Sequence, residues 1–201
     1  MRVQDRTRPR RLLPFLAAAI AVALGAPDAR AVDGPHLTTV GPAQSPPGST
    51  RLCRDVAGAC GRRPVGTSLA PDAERELAAE INTAVNRRMM PRIDPQGIGA
   101  SWVPPPGSVG DCKHYAVSKK AELVRAGVDP RHLLLAIVAR ADAELHAVLV
   151  YRTAAGDVVL DSLTNRILGW RESGYTFIKM QAPSDPSRWA LVLEGPRARR
   201  S

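Results

Sequence analysis

The chain has 201 residues, 44% of them hydrophobic and only 4% aromatic, which allows one domain of ordinary size with an aliphatic core, plus extensions. Its formal net charge is +9, but residues 1–31 carry +4 and Arg197, Arg199 and Arg200 add +3, which leaves the body at +2. Charge gathered at the ends makes no basic stripe along the body, so a nucleic-acid partner is excluded from the expected ones.

The first 31 residues read as a secretory signal. Arg2, Arg6, Arg8, Arg10 and Arg11 form a basic start, Leu12 to Leu24 is apolar, and Ala29-Arg30-Ala31 offers a small-x-small cleavage site. The apolar run is short for a membrane span, and nothing later in the chain could form one. The expected location is periplasmic or secreted. Residues 32–70 read as a flexible lead-in, rich in Pro, Gly, Ser and Thr as far as residue 50. Cys53 and Cys60 lie close together in it and are the expected disulfide of an exported chain, which leaves Cys112 unpaired.

The domain proper is expected over residues 71–195, followed by a frayed basic tail over 196–201. A helix begins near Pro71 with Asp72 as its cap. Leu77, Ile81, Val85 and Met89 recur every fourth residue as its core stripe, and Pro91 ends it. Residues 91–109 are irregular, with Trp102 and three prolines at 104–106. A second helix runs from about Cys112 to Ala126, capped by Asp111 and stopped by Gly127. Tyr115, Ala116, Lys119, Leu123 and Ala126 share its broad face. Strands follow over Leu133–Ala139, Leu145–Tyr151, Val158–Ser162, Tyr175–Met180 and Trp189–Leu193, with a hairpin turn at Thr153-Ala154-Ala155-Gly156. Helices first and antiparallel strands after them make the class α+β.

Three residues in this layout carry chemistry. Cys112 sits in the first turn of a helix, where the macrodipole favours thiolate. His146 interrupts an aliphatic strand, and Asp161 follows Val158-Val159-Leu160 on the next one. If the hairpin loop has an even number of residues, His146 and Asp161 point to one side of the sheet. Asp161 can then fix the imidazole tautomer and leave the other ring nitrogen for Cys112. Cys112 and His114 make a poor metal pair, because i and i+2 on a helix point about 200° apart and no second pair of ligands appears. His114 is expected at the surface, and no metal site is expected.

These residues resemble the bacterial transglutaminase-like cysteine peptidase family, a branch of the papain-like and transglutaminase-like superfamily. Cys53 and Cys60 are similar to its N-terminal cysteine pair. Asn82-x-x-Val85-Asn86, Trp102 followed by prolines, GDCKHYAVSKKAELVRAGV (110–128), LHAVLVYR (145–152) and GDVVLDSL (156–163) resemble its blocks in order, from about Cys53 to Trp170. The resemblance implies a papain-like core, with a Cys-bearing helix packed on an antiparallel sheet. It implies Cys112 as nucleophile, His146 as base and Asp161 as orienting acid. Trp102 is a candidate to line the cleft or to donate its indole N–H there.

The resemblance also implies a protein or peptide substrate, with a surface adhesin released during biofilm dispersal as one candidate, and a membrane receptor for cyclic-di-GMP as a candidate regulator. The family usually reads Gly-Asp-Cys-Glu-Asp, and in adhesin-clipping members the acids flanking the cysteine help bind calcium. Here Lys113 and His114 replace two of those acids, so no cofactor is expected to be required, and calcium remains a candidate that the positive charge of Lys113 disfavours. Two alternatives share the same residues. One is a catalytically degenerate module that binds peptides in the envelope. The other is an acyltransferase that passes the thioester to an amine.

Overall fold

The computed structural model describes residues 34–61 and 69–198. The expected signal over 1–31 lies outside the described residues, as do 62–68 and the end of the basic tail, 199–201. No described helix is long and apolar enough to cross a membrane.

The helices come early in the chain. α1 (Leu52–Asp55) is a single turn, whose neighbourhood is closed by the Cys53–Cys60 disulfide. α2 (Pro71–Arg88) begins with Pro71 at its first helical position and Ala70 as the cap residue. Asp72 therefore lies inside the first turn and not at the cap expected for it. A proline at that position gives up no intrahelical bond, since the first N–H groups have no partner in any case. Ala78, Ile81, Val85 and Met89 are buried along the helix, with Leu77 packed at the edge.

α3 (Cys112–Arg125) is the central helix. Between α2 and α3, β2 (Met90–Pro91) and β3 (Val109–Gly110) pair in parallel and pinch off the intervening loop. Tyr115 Oη donates to the Met89 carbonyl at 2.8 Å and fastens the end of α2 to α3.

The remaining strands are β1 (Gly41–Ala43), β4 (Leu133–Ala139), β5 (Leu145–Thr153), β6 (Gly156–Asp161), β7 (Thr164–Gly169), β8 (Thr176–Ala182) and β9 (Asp185–Glu194). They form one sheet in the order β1-β9-β8-β4-β5-β6-β7, every neighbour antiparallel. The α+β class and the Cys-bearing helix on an antiparallel sheet are as expected. β4 is central and covered on both faces. Leu133, Leu135 and Ile137 pack with α2 and α3, and Leu134, Ala136 and Val138 pack on the other side. Burial on both faces accounts for the unbroken aliphatic run of its sequence.

Residues 34–43 differ from the flexible lead-in that their composition suggested. β1 joins the sheet edge beside β9. Upstream of it, the fully buried carboxylate of Asp157 accepts from the Leu37 backbone N–H at 2.8 Å, lies 2.8 Å from His36 Nδ1 and takes two contacts from Arg152 at 3.1 Å. Gly156, with φ +137°, lets the strap lie close: a Cβ there would stand 2.9 Å from the Pro35 carbonyl oxygen. Composition cannot register this, because the anchor is an acid more than a hundred residues away. Asp157→Ala leaves Arg152 without its buried partner and is expected to lower unfolding free energy by about 3 kcal/mol or more in urea titration. A loss under about 1 kcal/mol, the range of surface pairs, would show that Asp157 does not hold the strap.

Candidate active site

Cys112 is the first residue of α3, and the turn before it is built for that purpose. Asp111 is the cap residue, and its side chain accepts from the His114 backbone N–H. The His114 ring folds back over the same turn, and its Nδ1, 2.7 Å from Asp111 Oδ1, donates to the cap carboxylate. His114 is therefore a partly buried cap partner and not the surface residue expected. Gly110 is required by the same closeness, since a Cβ there would lie 2.7 Å from His114 Cβ. Burial alone would raise the Asp111 carboxyl. The hydrogen bonds from His114 and Lys113 outweigh it and hold the group at about 2. The cap is ionised at any working pH.

His146 enters near the start of β5 and Asp161 ends β6. The ladder pairs Leu149 with Leu160 and Thr153 with Gly156, so the hairpin turn is the two-residue Ala154-Ala155. The even loop places His146 and Asp161 diagonally on one face. His146 Nε2 lies 2.7 Å from Asp161 Oδ1, and both side chains are buried. Nδ1 is the ring nitrogen not engaged by Asp161, and the half-buried Cys112 is near enough to the ring to raise its pKa. Burial lowers the His146 pKa. The Asp161 carboxylate and the Cys112 sulfur more than offset this and raise it to about 9. The Asp161 carboxyl is itself pushed up by burial, but the His146 bond and charge outweigh that and leave it below its ordinary value.

Asp161 is saturated. Besides His146 it accepts from the Leu163 backbone N–H at 3.1 Å and from Tyr175 Oη on its second oxygen. Asn86 Nδ2, on α2, holds the Asp161 carbonyl at 3.0 Å and the Thr164 carbonyl at 3.1 Å. Tyr175 also packs on the imidazole, with ring centroids 5.9 Å apart. Sequence reasoning placed Tyr175 only at the start of a strand and gave it no role. Lys119 was missed as well. It is fully buried and its Nζ makes no hydrogen bond among the described residues, although it lies 5.8 Å from the Tyr115 ring centroid. Burial drags its pKa down to about 7, against the pull of the Asp161 charge.

Trp102 is not brought to this group. It is fully buried, its Nε1–H donates to the Ile98 carbonyl at 3.0 Å, and its ring meets Trp189 edge-on. The indole N–H expected to face the cleft is thus engaged inside the core.

Residues 39–196 match a family described as the bacterial transglutaminase-like cysteine proteinases (BTLCP). The chain belongs to this family. It is an enzyme family of cysteine peptidases, and such an activity implies a protein substrate. Legionella pneumophila LapG is similar at 25% identity, over 55% of this chain and 67% of its own, with a TM-score of 0.46. Its calcium-bound form is similar at 21% identity over 63% and 76%, with a TM-score of 0.49. Its EGTA-treated form is similar at 25% over 55% and 67%, with a TM-score of 0.46. No curated protein matches.

Calcium, implied by the family's acid-flanked cysteine, does not fit the residues beside Cys112. The Lys113 side chain is fully buried, and its Nζ lies 3.1 Å from Asp94 Oδ2 and in contact with Asp111 Oδ2. Among the described residues, no three of His, Cys, Asp and Glu gather as a metal-holding group.

The sign of the His146 shift gives a direct test. Asp161→Asn removes the charge that raises the imidazole pKa and leaves the burial that lowers it. An NMR titration of His146 is expected to have its midpoint near pH 9 in this transglutaminase-like protein and well below that in Asp161→Asn. An unchanged midpoint would mean that Asp161 does not hold the proton on His146.

Proposed function

We propose that this chain is an exported thiol peptidase that cleaves a protein, with one at the cell surface as its candidate substrate, through Cys112, His146 and Asp161. The observation that carries the reading is the buried His146–Asp161 pair, which holds the imidazole by Nε2 and leaves Nδ1 to a cysteine at a helix start. The formed disulfide supports an oxidising compartment.

The Cys112 thiolate attacks a peptide carbonyl carbon. The carbonyl oxygen takes up negative charge, and the Cys112 backbone N–H is in place to donate to it, because the first N–H groups of a helix have no intrahelical acceptor. The C–N bond breaks as imidazolium His146 gives its proton to the leaving amine, and a thioester remains on Cys112. Neutral His146 then takes a proton from water, which attacks the thioester, and the thiol is regenerated. Asp161 keeps the ring in one tautomer throughout and stabilises its charged form. No metal enters any step, which accords with the ammonium beside Cys112 where the family implies a divalent ion.

Cys112→Ala is expected to abolish cleavage. Mass spectrometry of secreted and envelope proteins, comparing cells with the intact protein and with this variant, would identify the substrate by its missing fragments. Identical fragments in both would sink the assignment. A product cross-linked to an added primary amine would reassign the thioester to acyl transfer.

A further inference from the structure

Lys113 is unusual by position as well as by burial. A cation in the first turn of a helix opposes the macrodipole, and a buried ammonium is costly unless it is paired. Its side chain is fully buried all the same, and the two carboxylates it meets come from different parts of the fold. Asp111 is the cap of α3. Asp94 belongs to the loop that β2 and β3 pinch off, and Arg92 N–H donates to the Gly110 carbonyl at 2.8 Å at the base of that loop. One cation shared between a loop carboxylate and a helix-cap carboxylate is the tie that a bound divalent ion makes with oxygen ligands.

We propose that Lys113 is a resident cation: its ammonium ties Asp94 to Asp111, fixes the start of α3 and so orients the Cys112 thiol, in place of a divalent ion. Lys113 is thus a positioning residue. It acts through Asp111, whose carboxylate also holds the His114 backbone N–H and ring. The tie sets one positive charge against two negative ones and so keeps a net negative charge, and His114 is the remaining ionisable neighbour on Asp111. The functional meaning of the tie rests on the reading of Cys112 as nucleophile, but its existence does not.

The test uses two measurements that need no substrate: the rate of Cys112 alkylation by iodoacetamide across pH, with the disulfide intact, and the melting temperature. In the unaltered chain both are expected to be the same in excess EGTA and in millimolar calcium. A rise in either on adding calcium would overturn the proposal. Lys113→Gln is expected to slow alkylation, because a thiol displaced from its imidazole neighbour spends less time as the reactive thiolate, and Lys113→Arg is expected to recover most of that loss. A purely structural role would lower the melting temperature of Lys113→Gln and leave the alkylation rate and pH profile of the folded protein unchanged, which would also overturn the proposal. If Lys113→Gln fails to fold, Asp94→Asn removes the loop half of the tie and leaves the cap, and slower alkylation is expected there too. Retained cleavage by Cys112→Ala would remove the peptidase reading and leave these comparisons standing.

Discussion

One carboxylate decides where the thiol stands. Asp111 closes the first turn of α3, receives the His114 ring and backbone, and meets the buried Lys113 ammonium. Each of these bonds would be weak in water. Together, in a partly buried pocket, they hold an ionised group against desolvation, and the helix end cannot unwind without breaking several charge-assisted contacts at once. The thiol is the next residue along. Its position is therefore set by polar bonds on one side and by the apolar packing of Ala116, Val117 and Leu123 further down the helix on the other.

The second half of the site is held differently. His146 and Asp161 ride on the strands of a seven-stranded sheet, and their separation is a matter of ladder register more than of local bonding. Around Asp161 the fold has placed a donor from α2 (Asn86), one from the following turn (Leu163) and one from ahead of β8 (Tyr175). The carboxylate, engaged on both oxygens above a backbone carbonyl that Asn86 holds, has little freedom to rotate. Rigid support of this kind suits the proton transfer proposed for the pair, because small displacements of a base are costly in rate. The buried Lys119 lies on the helix side of the same pocket, where burial lowers its pKa to about 7 and the Asp161 charge pulls the other way.

The legible parts of this fold were those in which neighbouring residues contain the signal. Asp111 as a cap, Gly127 as a stop, and the strand over Leu133–Ala139 follow from local chemistry and periodicity, and they stand where expected. β7 escaped because Thr164-Asn165-Arg166-Ile167-Leu168-Gly169 is polar at its start and lacks clean alternation. β1 escaped because three residues among prolines and glycines gain their structure from β9 alone. Asp94, Tyr175 and Lys119 were invisible as site residues for one shared reason. Each becomes significant only when a distant segment folds against it, and a lysine on a helix face reads as a solvated charge until the sheet covers it. Trp102 erred in the opposite direction: a tryptophan beside prolines looks like a cleft wall, yet the indole N–H found its acceptor four residues back.

The two-residue turn between β5 and β6 reaches further than its place suggests. It lies about 23 Å from His146 along the strand, at about 3.3 Å per residue. The pairing it enforces determines which side of the sheet Asp161 occupies, because a slip of one residue turns every side chain of a strand over. Register changes set from this distant turn are therefore read out as parity. A shift of the ladder by two residues keeps the carboxylate on the side of the imidazole, and a shift by one carries it to the opposite face. Drift in the length of this surface loop is constrained by chemistry at the other end of the sheet.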